Sequence, residues 1–334
     1  MSPRGKCCAH FCVRCVLAVL TISAIIYFIR SILIPRQTDE RRGRMQQTGR
    51  DTRRYATGTL AVIALSAVLL VQGCSPETDG TRSGRAVAVQ EPLRVAMELQ
   101  FPPFEMVTED GSPAGISVDL ARALGASLGR PVEIQNTAWV GLIPAIQSGK
   151  ADLIISTMTI TEERQKVVDF SEPYAVSGLT LLVHKDSAAE NAADLAREGM
   201  VVAVKSGTTG AIWARENLPE ANIRTYDEAV ACALEVSQGK ADAFIYDALT
   251  VFNLHKRFPE TTRMNLNNLP GTVGAWGIAI KKGRPELRKK VNAFIASFRA
   301  KGGFDKLEDK YLGELKQTFE AAGVPSFFDV PSPK

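Results

Sequence analysis

Residues 147–155 read QSGKADLII, and ninety residues later residues 237–245 read SQGKADAFI. In both stretches a helical pattern ends at a glycine, which tolerates the left-handed backbone that closes a helix, and a β-rich run follows. The repetition predicts two copies of one helix–strand unit. We therefore expect two α/β sheets, each presenting polar groups where its strands end, because open α/β sheets bind small ligands outside the carboxyl ends of their strands.

Strands and helices are predicted to alternate from residue 92 onward. The predicted strands are residues 93–97, 132–135, 152–156, 201–204, 223–225 and 243–246. The predicted helices are residues 117–128, 142–147, 211–217 and 227–238. Such alternation is typical of α/β proteins with parallel sheets.

A candidate signal peptide precedes this region. Residues 58–71 are apolar, follow three arginines within residues 50–54, and are followed by Gly73 and Cys74. A basic segment, an apolar segment and a small residue before the cleavage point are the parts of a secretory signal. A cysteine directly after the small residue resembles the lipobox of bacterial lipoproteins, which implies lipidation of Cys74. A plain secretory signal or a short membrane anchor is the alternative.

The segment before the signal peptide has no predicted chemical role. Residues 1–44 contain an apolar stretch that is interrupted by Arg30 and is almost long enough to span a bilayer. Because a complete signal peptide begins at Met45, we interpret residues 1–44 as an over-extended start of the reading frame, with an extra membrane helix as the alternative. Residues 45–73 are then the signal peptide, and residues 74–91 form a polar tether.

The charges and the rare residues exclude several functions. Residues 1–73 hold 11 Lys and Arg against 3 Asp and Glu, so the 40 and 36 of the whole chain leave residues 74–334 with 29 against 33, a net charge of −4. We therefore expect no nucleic-acid partner. His184 and His255 are far apart in this region, and Cys232 lies in an apolar helical run. We expect a buried structural thiol at Cys232, no metal site, no cofactor and no catalytic residue.

Eight short motifs occur in the order seen in one protein family. They are LRVA at 93–96, FPPFE at 101–105, VDLA at 118–121, WVGLIPA at 139–145, MTITEER at 158–164, VDFSEPY at 168–174, KSGTT at 205–209 and GKADA at 239–243. Together they resemble the polar amino-acid-binding proteins of ABC importers, solute-binding family 3. The resemblance runs from residue 93 to about residue 313.

The resemblance implies an α/β fold, the two-lobe clamp of the type II periplasmic binding proteins. Each lobe would be a mostly parallel sheet flanked by helices, and a hinge of two chain segments would join them. Lobe 1 would comprise residues 92–178 and 276–334, and lobe 2 residues 179–275. The two crossovers would lie near residues 174–179 and 271–277.

The resemblance also implies residues for the head group of an amino acid. Arg164 would hold the α-carboxylate, for which a planar two-pronged donor is suited. Thr209, at a predicted helix start, would donate its N–H to the same carboxylate, and Asp247 would take the ammonium group. From the residues alone, Arg164 could instead pair with Glu162 or Glu163 on a helix surface, and Asp247 could cap the next helix.

Four further positions are implied to surround the ligand. The hydroxyl of Thr159 and the backbone of Thr157 would meet the head group. Thr157 stands where glycine is frequent in the family, which would narrow the pocket mouth. Phe101 and Trp139 would pack on the ligand's side chain, although aromatic residues are more often part of a core.

Glu98 and Lys205 are implied to control the side-chain end of the pocket. If they pair across the cleft, they leave a pocket for a neutral polar side chain. If Lys205 points away, Glu98 favours arginine or lysine. One departure from the family lies at residues 115–119, where Gly-Phe-Asp-x-Asp is replaced by GISVD. The first acidic residue is lost there, and we expect Ser117 to cap the helix in its place.

The implied function is capture of a polar amino acid, neutral or cationic, and its delivery to the permease and ATPase of an ABC importer. No bond is made or broken, so the protein is not expected to be an enzyme. It would act as a monomer in the periplasm or at the outer cell surface, held to the membrane by the lipid on Cys74. The alternative is a dehydratase of the cyclohexadienyl or arogenate type on the same clamp, with Glu98 as its acid.

Overall fold

The computed structural model describes residues 90–330. The predictions for the leader, including lipidation at Cys74, lie outside these residues. The strands are β1 (Leu93–Met97), β2 (Met106–Val107), β3 (Pro113–Ala114), β4 (Val132–Asn136), β5 (Leu153–Ile154), β6 (Asp169–Phe170), β7 (Ala175–Ser177), β8 (Leu179–His184), β9 (Val201–Lys205), β10 (Asn222–Tyr226), β11 (Ala243–Asp247), β12 (Thr262–Asn265), β13 (Gly274–Trp276) and β14 (Ala279–Ile280).

Helices alternate with these strands, as the sequence predicts. They are α1 (Ile116–Leu128), α2 (Leu142–Gln147), α3 (Glu162–Val167), α4 (Ala192–Leu195), α5 (Thr209–Asn217), α6 (Ala229–Ser237), α7 (Ala248–Arg257), α8 (Pro285–Ala300) and α9 (Gly303–Ala321). A short 3-10 turn, Trp139–Gly141, precedes α2. Within residues 90–330, no helix is both long and apolar enough to cross a bilayer.

Two five-stranded sheets define the two lobes. Lobe 1 contains the sheet with strand order β4-β1-β5-β14-β6, and lobe 2 the sheet with order β10-β9-β11-β8-β12. In each sheet one strand, β14 or β8, is antiparallel to both of its neighbours, and the remaining pairings are parallel. Four strands of each sheet therefore run in one direction, which confirms the predicted mostly parallel sheets of a two-lobe clamp.

The repeated G-K-A-D motif has the same structure in both lobes. Gly149 and Gly239 have φ values of 77° and 67°, in the left-handed region that favours glycine. Asp152 then accepts a hydrogen bond on Oδ2 from the backbone N–H of Arg94 at 3.1 Å, and Asp242 accepts one on Oδ2 from the N–H of Val201 at 2.8 Å. Each aspartate thus joins its strand to the first part of the parallel neighbour, which fixes the register of the two strands.

Helix α1 begins differently from the prediction. Its N-cap is Gly115, and Ser117 lies inside the first turn, where its hydroxyl donates to Oε1 of the buried Glu105 instead of capping the helix. The expectation that Ser117 caps this helix is therefore wrong. Gly115 has φ 115°, and a Cβ there would lie 2.4 Å from the carbonyl oxygen of Phe104, so no larger residue fits. The close approach of two backbone segments sets the helix start.

Two chain segments connect the lobes as a hinge. Strands β7 and β13 pair antiparallel, with Ala175 opposite Trp276 and Ser177 opposite Gly274. A Cβ on Gly274 would lie 2.6 Å from Cγ2 of Thr159, so glycine lets the hinge approach the segment that carries Thr159. The second hinge strand therefore lies directly against the segment of lobe 1 that carries Thr159.

The C-terminal segment packs against the hinge from the side of lobe 1. The backbone N–H of Val176 donates to the carbonyl oxygen of Phe327 at 2.7 Å. The Phe327 ring stacks on Trp276 with centroids 5.8 Å apart and lies edge-on to Phe104 at 5.5 Å. These rings belong to the apolar core of lobe 1, which also receives Leu249 from α7. Phe327 thus packs against Trp276 of the second hinge strand and holds Val176 of the first.

Candidate functional site

A cavity with about 520 Å³ of empty space, part of it open to solvent, lies between the lobes. It is bounded by residues that follow strands of both sheets and by the two hinge strands. Seven of the residues singled out in the sequence line it: Phe101, Trp139, Thr157, Thr159, Arg164, Thr209 and Asp247. The structure therefore brings together residues that are as far apart in the chain as 101 and 247.

Arg164 is a buried cation on the lobe 1 wall. It lies in the first turn of α3, and its side chain points into the cleft, leaving the residue only 7% exposed. Its Nη1 donates to the carbonyl oxygen of Thr159 at 2.7 Å, and its Nη2 to that of Gly207 at 3.2 Å. The guanidinium also lies over the Trp139 ring, 5.3 Å from the centroid. A guanidinium has five N–H donors, so these two bonds leave three for a ligand.

Burial changes the acidity of Arg164 but not its charge. Removal from water lowers the pKa of the guanidinium to about 10, because the charged form is less well solvated there. The group stays protonated at neutral pH. The alternative pairing with Glu162 or Glu163 does not form, although Thr161 does cap α3 by accepting from the Arg164 N–H at 3.3 Å.

Asp247 is the carboxylate of the lobe 2 wall. It ends β11 and caps α7, where its Oδ1 accepts from the N–H of Thr250 at 2.9 Å. Burial raises the pKa of this carboxyl to about 6, so it is ionised at neutral pH. The predicted helix cap is therefore confirmed, and the same residue also lines the cavity. Its role toward an ammonium group remains a prediction.

The N-terminus of α5 forms the adjoining part of the lobe 2 wall. Thr208 is its N-cap: the hydroxyl accepts from the N–H of Ala211 at 3.3 Å and donates to the carbonyl oxygen of Lys205 at 2.7 Å. The predicted helix start at Thr209 is confirmed. Among residues 90–330, the N–H groups of Thr209 and Gly210 have no hydrogen-bond acceptor. Free N–H groups and the helix dipole favour an anion at this place.

The segment from Thr157 to Thr159 runs along the cavity floor. Thr157 has φ 48°, an unusual conformation for a β-branched residue. Thr159 forms an isolated antiparallel bridge with Trp276 of the hinge. Strained backbone is typical of sites where geometry matters more than local stability. Thr157 and Thr159 both line the cavity, so the residue with the unusual backbone lies at the candidate site.

Two predicted aromatic residues contribute to the apolar part of the wall. Phe101 stacks on Phe104 with ring centroids 5.4 Å apart and lies edge-on to Trp276 at 6.2 Å. Trp139 stands beneath the Arg164 guanidinium and contacts the position of Gly207. Phe101 therefore belongs to the lobe 1 core and to the cavity wall at the same time, so the two interpretations of this residue are compatible.

Glu98 and Lys205 form an ion pair between the lobes. Glu98 directly follows β1, Lys205 ends β9, and Lys205 Nζ donates to Glu98 Oε2. The second oxygen, Oε1, accepts from the backbone N–H of Trp139 at 3.2 Å. Both side chains are almost completely buried, and neither residue is among those that line the cavity. Of the two arrangements left open by the sequence, the paired one forms.

Eight residues outside the predicted set also line the cavity, and two of them are aromatic. Trp276 ends the second hinge strand, and Tyr246 directly precedes Asp247. The sequence could have indicated Tyr246, because it directly precedes Asp247 at the end of a predicted strand. Trp276 had no such signal, because its place depends on the pairing of β13 with β7.

Other reactive groups lie away from the cavity. Cys232 is completely buried in α6, and burial raises the pKa of its thiol to about 12, so the predicted structural thiol is confirmed. Among residues 90–330, no three His, Cys, Asp or Glu side chains are grouped as they would be in a cation site.

Comparison with known proteins identifies the family. A family model for bacterial extracellular solute-binding proteins, family 3, matches residues 93–314. The L-cystine-binding protein TcyJ of Escherichia coli (strain K12) is 32% identical over 260 residues, which cover 77% of this chain and 96% of that protein. The ABC transporter glutamine-binding protein GlnH of Bacillus subtilis (strain 168) is 28% identical over 269 residues, covering 77% and 97%.

A solved structure agrees with these relatives. The crystal structure of the ancestral amino acid-binding protein AncCDT-1, a precursor of cyclohexadienyl dehydratase, is 39% identical and superposes with a TM-score of 0.60. The match covers 66% of this chain and 95% of the chain in that structure. The motifs, the two-lobe fold and the match over residues 93–314 lead to one conclusion: the chain belongs to the bacterial extracellular solute-binding proteins, family 3.

Proposed function

We propose that the protein captures one free polar amino acid between its lobes and delivers it to the permease and ATPase of an ABC importer. The observation that carries this proposal is the pair of opposite charges on facing walls of the cavity. Arg164 and the N-terminus of α5 are suited to a carboxylate, and Asp247 is suited to an ammonium group. An α-amino acid is the common metabolite that presents both groups on one carbon.

Binding would close the clamp because the two walls belong to different lobes. Arg164 and Thr159 lie in lobe 1, whereas Thr209 and Asp247 lie in lobe 2. A ligand held by lobe 1 gains the lobe 2 contacts only when the lobes come together, so it shifts the equilibrium toward the closed form. The hinge pair β7–β13 lies between the lobes and would absorb the motion.

The names of the relatives support an amino acid as the solute. TcyJ is named for cystine and GlnH for glutamine. The dehydratase alternative has less support, because both oxygens of Glu98 already accept hydrogen bonds, from Lys205 and from Trp139. A general acid needs a carboxyl group that reaches the substrate. We therefore propose binding without catalysis, by a monomer.

We further propose that the protein is a lipoprotein outside the cytoplasm, in the periplasm or at the outer cell surface. Residues 45–73 would be its signal peptide, and Cys74 would carry the lipid. Labelling of cells with radioactive palmitate tests this proposal. Cys74→Ser should remove the label from the protein, whereas Cys232→Ser should retain it. Label on the Cys74→Ser protein would contradict lipidation at Cys74.

A thermal-shift screen tests the main proposal. The purified protein is heated with each of the twenty common amino acids, and with prephenate and arogenate. A ligand at a hundred times its dissociation constant adds about 2.7 kcal/mol to the free energy of unfolding, which the screen detects readily. The expected result is stabilisation by one or a few polar amino acids. No shift with any amino acid, or turnover of prephenate or arogenate, would contradict the proposal.

A further inference from the structure

A second large groove lies at the end of the lobe 1 strands that is opposite to the cavity. It holds about 1080 Å³ of empty space, part of it open to solvent. Among its lining residues, Arg94 lies at the start of β1, Asp152 directly precedes β5, and Lys281 follows β14, which is antiparallel to β5. Thr157, in the cavity wall, comes after the other end of β5. A partner on the groove would therefore leave the cavity accessible.

The groove is basic. Two carboxylates and five cations line it, which leaves a net charge of +3: Asp152 and Glu286 against Arg94, Arg130, Lys281, Arg284 and Lys290. Asp152 is shared by two of the cations, Arg94 at 2.9 Å and Arg130 at 3.4 Å. The other three cations form no salt bridge with any residue from 90 to 330. Their charge is available to an anionic partner.

The positive charge of this region is concentrated in one short segment. Residues 281–290 read KKGRPELRKK, six Lys and Arg against one Glu, although residues 74–334 as a whole have a net charge of −4. All six cations except Lys281 are exposed. A protein that is acidic overall and basic on one face is attracted to a negatively charged surface through that face.

The N-terminal segment of the described chain leaves lobe 1 beside this groove. Arg130 donates from Nε to the carbonyl oxygen of Glu91 at 2.9 Å and from Nη2 to that of Pro92 at 2.8 Å. Since Arg130 also lines the groove, residues 91–92 are held at its edge. Gln90 lies sixteen residues after Cys74, and a chain of that length reaches at most about 55 Å. A lipid on Cys74 would thus keep this end of lobe 1 near the bilayer.

We infer that the groove binds the anionic phospholipid headgroups of the membrane that anchors the protein. The inference rests on the proposed lipidation of Cys74. Held by its lipid, the groove meets headgroups at a high effective concentration, so individually weak contacts suffice. Lysine and arginine side chains near an anionic bilayer are attracted to its surface. Because the amino acid leaves through the cleft, the protein has to turn for delivery, and contacts between exposed charges are weak enough to release it.

Energy transfer between the protein and the bilayer tests the inference. The lipidated protein is reconstituted in vesicles of phosphatidylcholine, alone or with about a third phosphatidylglycerol, that carry an acceptor dye on their headgroups. A donor dye is attached to Ala293→Cys, exposed on α8 three residues after Lys290, or to Val230→Cys, exposed on α6 of lobe 2. Cys232 is completely buried and should not react with the dye. Transfer from residue 293 should rise at least about twofold with phosphatidylglycerol and fall again in high salt, whereas transfer from residue 230 should stay low.

Two triple variants with the same loss of charge isolate the groove. Lys281→Gln/Arg284→Gln/Lys290→Gln should abolish the rise at residue 293. Lys185→Gln/Arg215→Gln/Lys256→Gln, which removes three exposed cations of lobe 2, should keep it. Both variants should retain the thermal shift with the amino-acid ligand, which shows that they are folded.

The possible failures of the test are distinguishable. Equal transfer from residues 293 and 230, no response to phosphatidylglycerol, or the same loss in both triple variants would overturn the inference and leave the proposed lipidation and amino-acid binding in place. A protein that takes up no palmitate label and does not join the vesicles would overturn the lipidation and the inference together. Failure to bind any amino acid would overturn the proposed transport function without changing the result at the groove.

Discussion

Arg164 of lobe 1 donates a hydrogen bond from Nη2 to the carbonyl oxygen of Gly207 in lobe 2, over 3.2 Å. The same guanidinium holds the carbonyl oxygen of Thr159 in its own lobe at 2.7 Å. The side chain proposed to hold the ligand's carboxylate thus also joins the two lobes. Its position depends on closure, so ligand binding and closure are expected to be coupled through this residue.

Replacement of Arg164 by alanine is expected to abolish amino-acid binding. The ligand's carboxylate would be left without its cation in a buried cleft, which costs about 3–5 kcal/mol. Isothermal titration with the amino acid that gives the largest thermal shift measures the loss. Arg122→Ala, an exposed arginine of α1, is the matched control and should bind as the wild type does. Normal binding by Arg164→Ala would show that the carboxylate lies elsewhere.

The affinity is expected to depend on pH through Asp247. Burial raises the pKa of this carboxyl to about 6, and only the ionised form attracts an ammonium group. Below pH 6 the dissociation constant should therefore rise by up to about tenfold per pH unit. Asp247→Asn should bind weakly and lose this dependence, and it should reduce affinity more than Glu98→Gln does. A dissociation constant that is flat from pH 7 to pH 4.5 would contradict the role of Asp247.

The contribution of Asp247 to the stability of the ligand-free protein should change with pH in the direction opposite to that of the affinity. The pKa of Asp247 is raised from its usual 3.8 to about 6, so the folded protein binds more protons than the unfolded chain between these two values. The contribution of this group therefore destabilises the fold above pH 6 and diminishes as the pH falls toward 4. Comparison of urea unfolding of the wild type and Asp247→Asn over this range isolates the effect. A difference that grew toward low pH would have the wrong sign.

Thr157→Gly is expected to leave stability unchanged or to raise it by up to about 1 kcal/mol. The φ of 48° at Thr157 costs a residue with a Cβ about 1–2 kcal/mol, and glycine removes this cost at a smaller loss of chain entropy. The control is Thr225→Gly in the exposed part of β10, which should lose about 1 kcal/mol because that backbone is extended. Equal losses in urea unfolding would contradict strain at Thr157.

Phe327→Ala is expected to lower the free energy of unfolding by about 3–5 kcal/mol. The ring is 4% exposed and packs against Trp276 and Phe104. Because Trp276 lines the cavity, ligand affinity should fall as well. Val273→Ala, at a residue that is 62% exposed in the second crossover, should change stability by less than about 0.5 kcal/mol. A small effect of Phe327→Ala would mean that the segment after residue 314 is dispensable for the core.

Much of the fold could be predicted because local signals were repeated. The glycines at 149 and 239 end two helices in the same way, and the aspartates at 152 and 242 join the next strands by the same hydrogen bond. Strand β5 is shorter than predicted. Two residues after the strand ends, the hydroxyl of Ser156 accepts a hydrogen bond from the N–H of Glu98 at 3.0 Å.

The parts that could not be predicted depend on tertiary contacts. Whether Lys205 pairs with Glu98, 107 residues away in the chain, is decided by how the two lobes face each other. Ser117 does not cap α1 because its hydroxyl donates a hydrogen bond to the buried Glu105, and the helix starts instead at Gly115. Trp276 enters the cavity wall only because β13 pairs with β7. None of these arrangements leaves a local pattern in the sequence.

The head-group assignment is the central claim, and chemical variants of the ligand test it most directly. The amino acid that gives the largest thermal shift is titrated into the protein beside its N-acetyl derivative and its α-carboxamide. The account predicts that each derivative binds at least about a hundredfold more weakly, a loss of about 2.7 kcal/mol, because one loses the charge that faces Asp247 and the other the charge that faces Arg164. Binding of either derivative within a few-fold of the parent amino acid would contradict it.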